Sequence, residues 1–158
     1  MKWSIILFLS GLFFSSSKLY AGDHSENLRD SIIQFAQKQI GISYQYGGSS
    51  PKGFDCSGFV HYVFNRFNIP TPRTSGGYKN EGIETALKSC RKGDVILFTG
   101  TDSNVKTIGH VGIILENKDG EINFIHSSSS KKHYGVTVTR YNNSGYVKRF
   151  IKVINILT

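Results

Sequence analysis

The stretch Phe54-Asp55-Cys56-Ser57-Gly58-Phe59-Val60 decides how this 158-residue chain is read. Cys56 stands where a loop rich in Gly, Ser and Tyr (41–54) gives way to an apolar helical pattern. Phe59, Val60, Val63, Phe64 and Phe67 recur at the i, i+3, i+4 spacing of one buried helix face. Ile69-Pro70 stops the run. A thiol at a helix N-terminus sits near roughly half a positive charge. Together with an adjacent imidazolium, that position lowers a cysteine pKa from about 8.5 to roughly 3.5–7.5. Unpaired N–H groups of the first turn are also placed to receive an oxyanion. Asp55 is placed to cap those N–H groups, and Gly58 keeps the approach to Cys56 open. Cys56 is therefore the candidate nucleophile.

Working outward, a helix is expected from about Glu26 to Ile40, capped by Ser25 and stopped by Gly41. After the Cys56 helix comes an irregular segment, 70–82, and a short helix near Ile83–Ser89. From Gly93 the pattern changes to strands at Asp94–Thr99, His110–Glu116, Glu121–His126, Val136–Arg140 and about Tyr146–Ile156. Helices first and a meandering antiparallel sheet second define an α+β class in a single domain. If Lys118-Asp119-Gly120 closes the hairpin as a three-residue loop, Gly112 stands opposite His126. His110 and His126 are then diagonal neighbours on one face, roughly 7–8 Å apart at Cα. A two-residue loop puts one of them on the opposite face. In the first register His110 is the general base and acid, and His126 orients its ring.

The remaining titratable residues carry less. His61 lies about 140° round the helix from Cys56 and cannot serve its thiol. His24 sits near the N-terminus and His133 in a lysine-rich loop. A zinc site built from Cys56, Cys90, His110 and His126 lacks CxxC or HxxxH spacing, so no metal is expected. Cys90 reads as a structural thiol rather than the partner of a disulfide, which would destroy the Cys56 thiolate.

Residues 1–21 have the pattern of an export leader: Lys2, an apolar core from Ile5 to Phe14, and Leu-Tyr-Ala ahead of Gly22. That core is short for a bilayer span, which takes about 20 residues. No stable membrane insertion is expected once the leader is removed. Two of the 19 basic residues leave with it, so residues 22–158 carry 17 basic against 11 acidic residues, a balance of +6. The basic residues are scattered and form no stripe for nucleic acid. An anionic polymer of the cell envelope is the partner that an exported domain of this charge suits.

Six segments then match a known pattern in order. The chain resembles the NlpC-type cell-wall peptidases, bacterial papain-like cysteine enzymes, over most of residues 22–158. The matching segments are Tyr44-Gln45-Tyr46-Gly47-Gly48, Phe54–Val60, Pro72-Arg73-Thr74-Ser75, Lys92-Gly93-Asp94-Val95, Gly109-His110-Val111-Gly112-Ile113 and Phe124-Ile125-His126-Ser127-Ser128. The resemblance implies a papain-like fold, with the nucleophile helix packed on a five- to six-stranded antiparallel sheet. It also implies a Cys56–His110–His126 triad that cleaves amide bonds in peptidoglycan stem peptides, next to D-glutamate and a diamino acid or at cross-links. By the same resemblance Tyr46 lines the site. Asp55 and Ser57 touch substrate or cap the helix, and Arg73 faces a substrate carboxylate or steadies its own loop. A family glutamine beyond the Arg-Thr-Ser segment is replaced by Gly77-Tyr78. The expectation is a monomeric thiol endopeptidase, exported to periplasm or cell wall and needing no cofactor. The alternatives are a non-catalytic wall-binding module, or a thiol acyltransferase or amidase acting elsewhere.

Overall fold

The computed structural model describes residues 17–157. Helix α1 runs Ser17–Gln37 and helix α2 Cys56–Asn65. The strands are β1 (Ser49–Ser50), β2 (Gly53–Phe54), β3 (Ile83–Thr85), β4 (Val95–Thr99), β5 (Ile108–Lys118), β6 (Glu121–Ser130), β7 (His133–Arg140) and β8 (Phe150–Asn155). β1 and β2 form a small hairpin ahead of α2. The others make one six-stranded antiparallel sheet in the order β3-β8-β4-β5-β6-β7.

Alternation along the strands gives the sheet two apolar faces. Val95, Leu97, Val111, Ile113, Ile125, Val136 and Ile154 pack against Phe59, Val60, Val63 and Phe64 of α2 and Ile32 and Ala36 of α1. Ile96, Phe98, Ile114, Ile122, Phe124 and Val153 face the other way, covered by Tyr141, Tyr146 and Phe150. Arg29 is fully buried and ties α1 to the sheet. Its guanidinium donates to Asp94 Oδ1 (2.9 Å), Asn155 Oδ1 (2.9 Å) and the Lys92 carbonyl (2.6 Å).

Three expectations are corrected. α1 as described takes in residues 17–21 of the expected leader and also Ser25, which lies inside a helix rather than capping one. The rest of the expected leader, residues 1–16, lies outside the described residues. The segment 83–89 is a strand followed by a 3₁₀ turn, because Ile83–Thr85 finds an edge partner in β8. The β5–β6 hairpin closes through two residues, not three: Lys118 pairs Glu121, and Asp119 (φ 52°) and Gly120 (φ 88°) take the left-handed backbone of a tight primed turn.

That shorter turn alone would put His126 on the face opposite His110. A β-bulge at Leu115 compensates. Glu116 pairs Asn123, but Ile114 pairs Phe124 and Ile113 pairs Ile125. One extra residue on β5 restores the register in which both histidines share a face.

Candidate active site

The first turn of α2 is locked from outside. Asp55 caps it, with Oδ1 accepting from the Gly58 N–H at 2.6 Å and the Ser57 hydroxyl at 3.3 Å. Arg73 grips both carboxylate oxygens at 3.0 and 2.9 Å, and also reaches Ser57 Oγ and the Gly48 carbonyl, each at 3.3 Å. The Asp55 N–H donates to that same Gly48 carbonyl at 3.0 Å. A Cβ on residue 58 would stand 2.0 Å from Gly48 O, so Gly58 lets the loop close onto the helix. This differs from a glycine that simply clears space before the thiol.

Cys56 Sγ lies 4.0 Å from the Gly109 carbonyl, at the start of β5. The next residue is His110. Its Nε2 is 2.8 Å from His126 Nδ1, with the rings near-perpendicular at 88°. His126 Nε2 continues the chain to Thr139 Oγ1 at 2.9 Å. Phe98 and Phe124 back the two rings. Gly112 makes the pairing possible, because a Cβ there would meet Phe124 at 2.8 Å and His126 Cβ at 3.2 Å. The two histidines are thus in direct contact, and the thiol rests against the residue before His110. No hydrogen bond joins Cys56 to His110 in this resting arrangement. Such contacts are often long in unliganded sites and tighten on binding.

The electrostatics differ from the expectation of a stored thiolate. Burial pushes the Cys56 thiol above its ordinary value and the Asp55 carboxylate adds to that, while the Val111, Ser57 and Cys56 N–H groups oppose them. His110 is held well below 6.5 by burial first, then by His126 and Arg149. Burial, Arg149 and His133 lower His126 to about 3. At neutral pH the resting site holds a neutral thiol and two neutral imidazoles.

A cleft of about 400 Å³ opens over the thiol, walled by Tyr44, Tyr46, Cys56, Arg73, Ser75 and Gly109. Tyr46 is 90% exposed there, so packing does not hold it. Asp55, Ser57 and Arg73 are also at the cleft, with their polar atoms bonded to one another. Tyr78, in the segment where the expected family pattern has glutamine, is fully buried in the core. His61 points away, its Nδ1 2.9 Å from the Thr71 carbonyl. Cys90 is a free, buried thiol, pushed up to about 11 by burial.

Thr139, Tyr146 and Arg149 were not singled out from sequence. Thr139 lies two residues along β7 from Thr137, the partner of His126, so carrying the hairpin register one strand further would have found it. Tyr146 and Arg149 fall where a strand is expected from about Tyr146; instead Val147–Arg149 is a 3₁₀ turn and β8 starts at Phe150.

A cysteine-led helix laid on an antiparallel sheet that carries two bonded histidines defines a papain-like α+β domain. The chain belongs to the NlpC/P60 family, whose pattern matches residues 41–155. Over 121 residues it is 31% identical to gamma-D-glutamyl-L-lysine dipeptidyl-peptidase of Bacillus cereus, covering 77% of this chain and 34% of that protein. Over 143 residues it is 31% identical to gamma-DL-glutamyl hydrolase of Bacillus subtilis, covering 90% of this chain and 32% of that protein. The chain spans about a third of the length of these relatives. The crystal structure of an NlpC/P60 family protein from Bacillus cereus matches with a TM-score of 0.71 and 30% identity, over 82% of this chain and 40% of that one.

Proposed function

We propose that this chain is an exported cysteine endopeptidase that hydrolyses amide bonds in peptidoglycan stem peptides, at the bond between D-glutamate and a diamino acid. The observation that carries the reading is the 2.8 Å His110–His126 contact, set one residue from the backbone against which Cys56 rests. The relatives named for γ-glutamyl bonds favour the same bond type here.

In this reading His110 engages His126 through Nε2, which leaves Nδ1 to exchange protons with Cys56. His110 Nδ1 takes the thiol proton as sulfur attacks the carbonyl carbon. The oxyanion is received by N–H groups at the α2 N-terminus. The C–N bond breaks as His110 returns the proton to the leaving amine. Water, deprotonated by His110, then cleaves the thioester, releasing a carboxylate and restoring the thiol. His126 keeps the ring in the tautomer with Nδ1 free. Tyr46 is the exposed cleft residue proposed to touch substrate. Asp55, Ser57 and Arg73 frame the cleft floor and hold the helix end in place.

Export rests on the sequence pattern of residues 1–21, with the domain proper at 22–158 acting as a monomer in periplasm or wall. Among the described residues, no helix is long and apolar enough to cross a membrane. The test is digestion of purified cell walls by the reduced protein, followed by solubilised peptide. Release that is lost in Cys56→Ala supports the reading. Wall binding without release points to a binding module instead.

A further inference from the structure

The His110–His126 pair lies among aromatic rings and near the Arg149 guanidinium, and among the described residues no carboxylate is bonded to either ring. The charged and titratable groups acting on it are Arg149 from the turn before β8, on both rings, His133 from β7, on His126, and His126 itself, on His110. Forming an imidazolium there is opposed by burial and by Arg149. Other triads place a carboxylate or amide oxygen against the base for this reason.

Among the described residues, one side-chain oxygen lies within hydrogen-bonding distance of the His110 ring. It is the Tyr146 hydroxyl, 3.5 Å from His110 Nε2 and 3.5 Å from His126 Nδ1. Its ring lies 5.4 Å from the His110 ring at an interplanar angle of 30°, and edge-on to His126 at 5.2 Å. Phe98 and Phe124 hold that ring from behind, with centroids at 4.7 and 5.1 Å. The Arg149 guanidinium stands 4.7 Å over its face, anchored by a 2.9 Å bond to the Thr99 carbonyl. Burial raises the tyrosine pKa above its ordinary value of 10.0, so the hydroxyl stays neutral during turnover.

We propose that Tyr146 is a positioning residue for the His110–His126 pair, its oxygen taking the orienting and charge-compensating part that a carboxylate or amide plays elsewhere. When His110 gains the Cys56 proton at Nδ1, the Nε2–H stays directed at His126 Nδ1. Beyond that 2.8 Å acceptor, the tyrosine oxygen at 3.5 Å supplies a second negative dipole to the new cation. The clamp of Arg149, Phe98 and Phe124 keeps that oxygen from rotating away. The inference rests on His110 acting as the base.

Tyr146→Phe keeps the ring and removes only the oxygen. Steady-state kinetics on a defined muropeptide should show kcat lower by about 5- to 30-fold with KM within about twofold, since the group acts through the base rather than on substrate. The acidic limb of the pH profile should move to lower pH, because the imidazolium loses its compensating dipole. Cys56 alkylation by iodoacetamide, followed by peptide mass spectrometry, needs no substrate and reads the same base. It should slow by about three- to tenfold at neutral pH. Wild-type alkylation and an unmoved pH profile in the Phe variant would overturn the proposal, even if kcat fell. If the wild-type protein cleaves no muropeptide, the endopeptidase reading fails, and the alkylation rates still decide the role of Tyr146.

Discussion

Cys56 rests as a thiol and His110 as a neutral imidazole, so the proposed mechanism makes the reactive thiolate at the moment of attack. Ultraviolet titration should therefore show no Cys56 thiolate absorbance at pH 7, with ionisation appearing above the ordinary 9.0. A thiolate signal at neutral pH would mean that a stored ion pair replaces this account. The sign for the base is equally definite. As the proposed base, His110 works unprotonated, and burial holds its pKa well below 6.5, so the acidic limb of kcat/KM should lie below pH 6.5. Replacing His110 with Ala should cost about 10²–10⁴-fold in kcat. His126→Asn, which retains an acceptor for His110, should keep more activity than His126→Ala. Equal losses in the two variants would deny His126 an orienting role.

At the scale of elements, the β5 bulge and two glycines set the site. Gly112→Ala should displace His126 and Phe124 and destabilise the domain by about 1–3 kcal/mol, with a larger fall in kcat than in KM affinity. Wild-type kinetics in that variant would contradict the tight approach seen here. Asp55→Ala removes a helix cap and strands Arg73. Loss of the cap alone costs about 1 kcal/mol, and chemical denaturation should show more than that. The helix at Cys56, the β4–β7 meander and the shared face of the histidines were all legible in sequence, because each depends on local periodicity. The face was reached through the wrong turn, however. Asp119-Gly120 is a strong two-residue turn signal, and its effect on register is cancelled by a bulge at Leu115 that no local pattern marks. The pair's surroundings were not legible for a similar reason. Tyr146 and Arg149 arrive from an irregular turn whose position only the closed sheet defines, and Arg29 is buried through partners 63 to 126 residues away in sequence.

The whole molecule carries these two buried neutral histidines as an acid liability. In the unfolded chain they bind protons below about 6.5, and in the folded chain they resist them, His126 down to about 3. Stability from this source is complete above pH 6.5 and is lost progressively as pH falls below it. Urea midpoints should drop between pH 7 and pH 5. A midpoint that holds or rises would show that the pair is charged in the folded state. If the proposed export and substrate hold, the +6 balance of residues 22–158 attracts the domain to carboxylate-bearing wall peptides. Co-sedimentation of Cys56→Ala with purified walls should accordingly weaken as salt is raised. The most direct measurement is mass spectrometry of a defined stem peptide after incubation with the reduced protein, beside Cys56→Ala. The account predicts a free γ-carboxylate on D-glutamate and a free amine on the diamino acid, both absent from the Cys56→Ala sample. The same fragments formed at the same rate by Cys56→Ala would contradict it.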